Sequence, residues 1–561
     1  MSVLTLHNVL VEIAREVEED FAQQVLDENS PIYGAFLDYQ GRIESAGHGG
    51  TTRFLVSCGY LVLARLTHPA IAPSAPDTDT LLFRMSIAAD SMLRAQRDTG
   101  LIDLRSTNYD SSPDTGFVVQ LLCAFTDLAR GHDLLKPVLD QIERFIRRAV
   151  PGIMTGGFHT PNHRWVIVGA LAYTAKLFPD IDTRETVRAY VAEGFDVDAE
   201  GTYLERSVGV YDAVTNRSLL IFADHWDDEA DIQAAHEAVN ANLTFNLHLL
   251  HTDGTAETGL SRRQDYSTRV VPTTLIASYL HAAKRLDSPL FARAAQWLWE
   301  QSKAGERGNF SWQAYTLMKF GEPEPSSAEL PRDFVAYYPI NRVWRVRQAD
   351  LSATVFGGVS RLMTLVYKSA ELSGIKISQT YFGIGQFVGD SMRIEGNTAI
   401  LRYKNRQKPH RPGYELPYGK PVPRDQWDAI NAQRDYKPLP PMTSELAITV
   451  IEGGFDLRYQ TLDGLDQVAT QIAFDFPAGG LWETDDTAFV TQPGQEIFLK
   501  RGYGRMQFGN DVIELGPGAN AHMYQQMRQS ELVEPGYVRV LLTFVTPVDH
   551  TFSLRVKQLP R

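Results

Sequence analysis

The sequence predicts two structural classes in succession, an all-α domain followed by an antiparallel β-sandwich. Through the first 300 or so residues, apolar side chains recur at i, i+3, i+4 and i+7 between short loops rich in Gly, Pro, Asn and Asp. After about residue 345 the pattern changes to alternating apolar runs separated by Gly and Pro turns. We therefore place the first domain at residues 1–340 and the second at 341–561.

Eleven segments of the first domain show the helical period. They are Val9–Leu26, Arg53–Leu66, Asp79–Gln96, Phe117–Gly131, Leu134–Arg148, Arg164–Leu177, Thr183–Glu193, Ala213–Trp226, Glu229–His251, Val270–Leu286 and Leu290–Ala304. Antiparallel helical hairpins stack either into an open solenoid or into a closed α/α toroid. Because the loops do not repeat in sequence and several carry dense polar motifs, the sequence favours a toroid with a central cleft.

Six runs of the second domain have the composition and alternation of strands. They are Leu362–Lys368, Leu446–Ile451, Phe455–Tyr459, Val468–Phe476, Glu496–Lys500 and Val538–Val545. Their spacing is typical of antiparallel sheets. The stretch Tyr403–Pro441 is rich in Pro, Lys and Arg, which predicts a long loop.

Charge and composition restrict the class of partner. The chain has 561 residues, of which 43% are hydrophobic and 22% charged, with a formal net charge of −14. Nucleic-acid binding needs a basic stripe, so this balance argues against it. An acidic protein can still bind an anion through a local arginine cluster. No apolar stretch is long enough to span a membrane, so we expect no membrane partner. The sequence leaves the oligomeric state open, a homo-oligomer included.

The cysteines and the N-terminal residues provide information about the cellular compartment of the protein. The two cysteines, Cys58 and Cys123, lie in apolar helical stretches and predict buried free thiols. No basic segment followed by an apolar run opens the chain. This pattern predicts a cytoplasmic protein, or an exported one whose signal peptide has been removed.

Four loops of the helical half are more polar than solubility requires. They are Asn108–Asp114, His159–Trp165, Tyr203–Asp212 and Ser261–Asp265. The second loop follows a Gly-Gly turn and places two histidines, an asparagine and an arginine directly before a helix. Asn162 also suits a helix N-cap, and the histidines also suit structural hydrogen bonds. A metal site is disfavoured, since Pro161 interrupts the pair His159 and His163 and no third ligand is evident.

The other three loops supply further candidates. Tyr203 and Tyr211 flank Arg206, and a phenol beside a cation can serve as base or acid, although such pairs also merely stack. Arg262 and Arg263 suit bidentate binding of a carboxylate, although a solvated surface pair has the same sequence. Asn108 is a candidate ligand residue that also suits helix capping.

These features resemble the heparinase II/III-like and alginate-lyase-like polysaccharide lyases. The resemblance rests on a helical toroid followed by a β-sandwich, and on the pair Asn162-His163 followed by Tyr211 roughly fifty residues later. It implies a lyase that cleaves a uronate-containing glycan by β-elimination. His163 and Tyr211 would then act as base and acid, in an order left open, with His159 and Tyr203 as alternatives. Asn162 and Arg164 would hold the substrate carboxylate.

The chemistry of elimination matches this set of residues. The proton at C5 is weakly acidic unless donors neutralise the adjacent carboxylate, and separate groups must take that proton and protonate the leaving oxygen on C4. No metal or organic cofactor is needed. The absence of a visible signal peptide favours oligosaccharides over long polymers. His410 lies in a basic loop of the second domain, which either closes the cleft or is a solvated surface loop.

Two other functions remain open at the level of sequence. A glycoside hydrolase on the same toroid would use paired carboxylates, Asp110 or Asp114 with Glu205 or Asp212. A glycan-binding protein without catalytic activity would use the same loops only for recognition.

Overall fold

The computed structural model describes residues 3–37, 41, 46–303, 310–404, 419–433, 439–519, 527 and 530–560. The chain forms two compact units, Met1–Leu250 with Gly254–Pro331, and His251–Asp253 with Arg332–Arg561. The first is helical and the second is built of β-strands, which confirms the predicted fold class. The units divide after Pro331, whereas the sequence placed the boundary after residue 340. The strand Phe334–Tyr338 pairs with Val343–Gln348 and so belongs to the second unit.

Twelve α-helices form the described part of the first unit, together with one short β-hairpin. The helices are α1 Leu6–Asp20, α2 Thr51–Thr67, α3 Thr78–Ala95, α4 Ser112–Ala129, α5 Lys136–Thr155, α6 Pro161–Leu177, α7 Arg184–Val191, α8 Tyr211–His225, α9 Glu229–Leu249, α10 Leu275–Arg285, α11 Pro289–Gln301 and α12 Phe310–Phe320. The hairpin strands are β1 Ile102–Leu104 and β2 Asn108–Ser111.

The helices form a closed double ring. The even-numbered helices α2 to α12 contact one another in sequence, and α12 returns to contact α2, while the odd-numbered helices pack outside. Inner helix α4 is buried on nearly every side, from Ser112 to Thr126. Outer helix α5 buries one stripe, including Val138, Ile142 and Phe145, as a helix does when its other face meets solvent. This is the α/α toroid that the sequence predicted.

All eleven predicted helices are present, with ends that differ by a few residues. The sequence analysis missed α12, because Phe310–Phe320 is apolar on most sides and has no polar face to define a period. It also missed the β1–β2 hairpin, whose strands are only three and four residues long. Helix α6 begins at Pro161, three residues before the predicted start, and this places the Asn162-His163 pair inside the helix.

The second unit contains eighteen strands and one short helix in its described part. The strands are β3 Phe334–Tyr338, β4 Val343–Gln348, β5 Leu351–Phe356, β6 Met363–Tyr367, β7 Ala370–Leu372, β8 Gly374–Gln379, β9 Ser391–Glu395, β10 Thr398–Lys404, β11 Thr443–Ile451, β12 Gly454–Asp463, β13 Ala469–Pro477, β14 Leu481–Glu483, β15 Ala488–Val490, β16 Glu496–Phe498, β17 Gly504–Phe508, β18 Asp511–Gly516, β19 Tyr537–Val545 and β20 Asp549–Gln558. The helix is α13 Trp427–Asn431.

The strands form sheets of nine, four and five strands. Their orders are β15-β14-β17-β18-β20-β12-β11-β10-β9, β16-β19-β13-β8 and β3-β4-β5-β6-β7. Pairing is antiparallel except between β16 and β19. One hydrophobic core, which includes Trp344, Phe474 and Phe552, draws residues from all three sheets, as in a β-sandwich. Within the predicted Tyr403–Pro441 loop, residues 405–418 and 434–438 lie outside the described residues, and the described part contains α13.

Cys58 and Cys123 are free and fully buried, as predicted. Within the described ranges, no helix has both the length and the apolar character needed to cross a bilayer.

Candidate functional site

The polar loops of the first unit gather at one end of the toroid. Since each inner helix is separated from the next by one outer helix, all inner helices run in the same direction. Helices α4, α6 and α8 begin at Ser112, Pro161 and Tyr211, directly after three of the four polar loops. The fold therefore places these loops around the same mouth of the ring.

His163 lies in the first turn of α6. Thr160 is the N-cap residue and Pro161 the first helical residue, a position where proline's missing N–H costs nothing. The His163 side chain is 8% exposed, and its Nδ1 has no hydrogen-bond partner among the described residues. Its ring centroid lies 5.0 Å from that of His159 and 6.1 Å from that of Phe117. Burial lowers the pKa of His163 to about 4, so the imidazole is neutral at pH 7.

Asn162 is fully buried and bound to Glu205. Its Nδ2 donates to Glu205 Oε2 at 2.7 Å and Oε1 at 2.9 Å, and its backbone N–H donates to Oε2 at 3.2 Å. Asn162 is therefore neither the N-cap of α6 nor an open donor at the cleft surface. It anchors the Glu205 carboxylate beneath the first turn of α6.

Tyr211 and Arg263 form the open side of the site. The Arg263 guanidinium lies over the Tyr211 ring, 4.4 Å from its centroid, and Arg263 Nε lies 3.5 Å from Glu205 Oε1. Both side chains are partly exposed. Arg263 is also close enough to His163 to lower the pKa of that imidazole. We call these five residues, Asn162, His163, Glu205, Tyr211 and Arg263, the α6–α8 cluster.

A buried carboxylate ties together the two loops that carry Tyr211 and Arg263. Asp265 accepts hydrogen bonds from the Ser207 hydroxyl at 2.8 Å, the Ser261 hydroxyl at 2.5 Å and the Gly209 N–H at 3.0 Å. Ser207 Oγ in turn accepts from the Tyr211 N–H at 3.1 Å. A Cβ at Gly209 would lie 3.0 Å from Asp265 Oδ2, so a side chain there would strain this junction. Asp265 therefore positions the cluster without facing the cleft.

Arg164 does not join the cluster, contrary to the sequence interpretation. Its guanidinium is buried against Glu193 at 2.9 Å and Asp196 at 2.7 Å, and it also donates to the Gly194 carbonyl at 2.6 Å. One helical residue after His163, its side chain is rotated by about 100° away from that of the histidine. Arg164 thus anchors α6 to the chain after α7 and has no open edge for a substrate carboxylate.

Tyr203 is also a structural residue, so it does not replace Tyr211. Its ring is buried, and its hydroxyl donates to Asn216 Oδ1 at 2.8 Å. Burial raises the pKa of Tyr203 well above its usual value. Arg262 is exposed, and the charged neighbours of Arg206 are Arg262, Asp198 and Glu200 rather than members of the cluster. His410 lies outside the described residues.

Asn108 and His159 line a cavity of about 370 Å³ beside the cluster. Asn108 Nδ2 donates to Asp114 Oδ2 at 2.8 Å, and the Ser111 hydroxyl donates to the same oxygen at 2.5 Å. His159 is exposed, and its ring stands nearly perpendicular to that of His163. His159 therefore occupies the outer position of the pair and His163 the inner one.

The Gly-Gly turn before α6 serves packing. A Cβ at Gly156 would lie 2.2 Å from the Ser112 Cβ, whereas Gly157 has open space around it. Gly156 therefore allows the loop to approach the start of α4.

A second cavity, of about 150 Å³, lies inside the ring and contains residues that the sequence analysis did not select. They include His48, Arg217 and Trp312. The His48 ring stacks on Phe117 with centroids 4.5 Å apart, and Phe117 in turn contacts His163. Burial lowers the pKa of His48 to about 4. The signal in the sequence was Gly47-His-Gly-Gly50 directly before α2, a histidine among glycines before an inner helix.

No protein-family model matches the chain, and no curated protein matches it by sequence. Among solved structures, a heparan sulfate lyase HepC mutant from Pedobacter heparinus is similar with a TM-score of 0.49 at 8% identity, covering 91% of this chain and 76% of that one. Chondroitinase AC lyase is similar with a TM-score of 0.48 at 9% identity, covering 99% and 83%. An unsaturated glucuronyl hydrolase specific for heparin is similar with a TM-score of 0.37 at 10% identity, covering 57% and 99%.

Proposed function

We propose that this protein is a polysaccharide or oligosaccharide lyase that cleaves a uronate-containing glycan by β-elimination. The observation that carries the proposal is the α6–α8 cluster, in which a neutral imidazole and a partly exposed phenol lie around one arginine. Elimination needs one group to accept a proton, one to donate a proton, and a cation beside the substrate carboxylate. His163, Tyr211 and Arg263 supply these three functions.

In the proposed reaction, Arg263 pairs with the carboxylate on C5, which makes the C5 proton more acidic. His163 accepts that proton, and the electrons of the C5–H bond form the double bond between C4 and C5. The bond between C4 and its oxygen breaks, and the Tyr211 hydroxyl protonates the departing oxygen. Proton exchange with water then returns His163 and Tyr211 to their starting forms. The step uses no oxidant, reductant or co-substrate.

Burial of His163 supports its place as the base. A histidine whose pKa is about 4 is neutral throughout the neutral range and keeps a free acceptor. Tyr211 is the more exposed of the two, and its hydroxyl makes no hydrogen bond to the described residues. It is therefore free to reach the leaving oxygen. Asn162, which the sequence placed on the substrate carboxylate, instead supports Arg263 indirectly through Glu205.

The carboxylates of this region fit a glycoside hydrolase less well. A hydrolase needs two carboxyl groups open to the substrate. Asp114, Glu205 and Asp212 are buried, and each accepts hydrogen bonds from protein donors. Asp110, which is partly exposed, accepts a hydrogen bond from the Thr99 hydroxyl at 2.5 Å. Three of the four candidate carboxylates are therefore buried, and each of the four accepts at least one hydrogen bond from a protein donor.

A panel of uronate-containing polysaccharides and their oligomers tests the proposal. Elimination leaves a C4–C5 double bond conjugated to the carboxylate, which absorbs near the ultraviolet edge, whereas hydrolysis leaves none. We expect ultraviolet absorbance and new reducing ends to rise together for at least one substrate. New reducing ends without ultraviolet absorbance would indicate that the protein is a hydrolase and not a lyase. Binding without either signal would indicate a glycan-binding protein.

A further inference from the structure

Arg217 is a cation of the toroid interior that has no counter-charge among the described residues. It lies on α8, six residues after Tyr211, and its guanidinium carbon is 4.7 Å from the centroid of the Trp312 ring. No carboxylate or hydrogen-bond acceptor of the described residues pairs with it, and its Nε is buried without a partner. Burial lowers the pKa of Arg217 to about 10, which still leaves the group charged at neutral pH. A cation held in this position is costly to keep unless an anion pairs with it.

The surroundings of Arg217 form a small cavity. Its volume of about 150 Å³ is below the range for drug-sized ligands, so it suits a single sugar ring or its charged substituent. Phe117 and Trp312 supply apolar walls. Glu16, the acidic residue of the lining, forms an ion pair with Arg53 at 3.3 Å and not with Arg217.

The geometry of Arg217 suits an anion. The Trp312 ring lies on one side of the guanidinium, 4.7 Å from its carbon, and no described residue accepts a hydrogen bond from its N–H groups. An arginine edge binds carboxylate and sulfate groups through two parallel hydrogen bonds. His48, which also lines the cavity, is held neutral by burial and by the charge of Arg217, so it does not compete for the anion as a second cation.

The cavity is next to the proposed reaction site. His163 contacts Phe117, which lines this cavity, and also contacts His159, which lines the larger cavity on the other side. A glycan held at the α6–α8 cluster would therefore place a neighbouring sugar ring close to Arg217.

We propose that the Arg217 cavity is a binding subsite for a sugar ring that carries a carboxylate or sulfate, adjacent to the ring that undergoes elimination. The identity of the ligand as a sugar rests on the proposed function. The subsite would make the enzyme select glycans that are anionic on two consecutive residues. Arg217 is then a specificity residue and takes no part in proton transfer.

Binding without turnover tests this subsite. In the Tyr211→Phe background, calorimetry with glucuronate, glucose 6-sulfate and glucose compares a carboxylate, a sulfate and a neutral ring. We expect at least one anionic sugar to bind tenfold or more tightly than glucose, and Arg217→Gln to remove that preference. The matched control Arg144→Gln, on the exposed face of α5, should retain it. The anionic sugar that binds identifies the group recognised.

Stability distinguishes a binding role from a structural one. Because no described residue pairs with Arg217, Arg217→Met should have a Tm equal to or above that of the wild type while losing the anionic preference. A lower Tm together with unchanged sugar binding would overturn the proposal, as would equal binding of glucose and both anionic sugars by the folded parent. If the wild type forms no unsaturated product but the Arg217-dependent preference persists, the lyase assignment fails and the anion subsite stands.

Discussion

The Arg263 guanidinium lies over the Tyr211 ring, 4.4 Å from its centroid. The same guanidinium is 3.5 Å from the Glu205 carboxylate that binds Asn162. One cation therefore connects the phenol at the cleft to the buried start of α6. Since the carboxylate of Glu205 lies on the protein side of Arg263, the proposed function requires the substrate carboxylate to approach Arg263 from the cleft side.

Replacing Arg263 should cost activity far more than replacing its neighbour. We expect Arg263→Gln to lower kcat/KM by about 10²- to 10³-fold, the typical loss when one donor to a developing charge is removed. Arg262→Gln, at the exposed neighbouring position, should stay within about threefold of the wild type. Initial rates of ultraviolet absorbance on one substrate measure both. Similar losses of kcat/KM in the two variants would contradict the proposal that Arg263 pairs with the substrate carboxylate.

Tyr211→Phe should abolish turnover and leave the fold intact. The phenylalanine ring preserves the stacking surface for Arg263, and only the hydroxyl is lost, so we expect kcat to fall by about 10²- to 10⁴-fold with little change in Tm. Tyr367→Phe is the matched control, since Lys368 lies 5.5 Å from the centroid of that ring in the second unit. A Tyr211→Phe enzyme with wild-type kcat would contradict the assignment of the leaving-group acid.

The pH profile should reflect a histidine that stays neutral to low pH. If His163 is the base, kcat/KM should remain high as the pH falls to about 5 and then decline around pH 4, where His163 becomes protonated. The measurement is kcat/KM from pH 3.5 to 8, limited to the range in which circular dichroism shows a folded protein. A decline in kcat/KM centred near pH 6.5, the pKa of an exposed histidine, would indicate that another group is the base.

The lowered pKa of His163 also predicts that the stability of the wild type depends on pH more strongly than that of a variant without this histidine. Folding lowers the pKa of His163 from its usual 6.5 to about 4, so below pH 6.5 the unfolded state binds a proton that the folded state does not. His163 therefore lowers the free energy of unfolding as the pH falls from about 6.5 to 4, and has no such effect above that window. Urea denaturation of the wild type and His163→Gln at pH 7 and pH 4.5 isolates this contribution. The wild type should lose more stability between these pH values than the variant does.

Asn162 should matter chiefly for stability. Truncation by Asn162→Ala removes the side-chain donor that satisfies the buried Glu205, and we expect a loss of about 1–3 kcal/mol in the free energy of unfolding. Asn162→Asp would place a second carboxylate beside Glu205, so its loss should be larger at pH 7 than at pH 5. Asn240→Ala, at an exposed position of α9, is the control and should change stability by less than about 0.5 kcal/mol. A stable Asn162→Ala protein with a raised KM would instead indicate that Asn162 binds the substrate.

The toroid could be predicted from the sequence because its outer helices have one apolar face and its loops carry clear turn residues. Helix α12 escaped detection since a helix buried on most sides loses the alternation of polar and apolar faces. The strands of the second unit were found where one face meets solvent or where long apolar runs occur, as in β19.

The sequence motifs indicated correctly which loops surround the site, but they did not indicate which side chains of those loops face the cleft. Adjacent residues such as His163 and Arg164 look equivalent in a motif, but the helix directs them about 100° apart, one to the cleft and one to Glu193. Asn162 and Tyr203 have the residue types of a binding site, yet their partners Glu205 and Asn216 come from distant positions that spacing does not reveal. Arg217 lies inside α8, between Asn216 and Ser218, and no motif marks it.

The most direct test of the central claim is the origin of the oxygen atoms in the product. A digestion in heavy-oxygen water, followed by mass spectrometry, separates elimination from hydrolysis, because hydrolysis adds one solvent oxygen across the cleaved bond and elimination adds none. We predict an unsaturated product without solvent oxygen at the cleaved bond, formed by the wild type and lost in Tyr211→Phe. A saturated product that carries one heavy oxygen at a new reducing end would contradict the account.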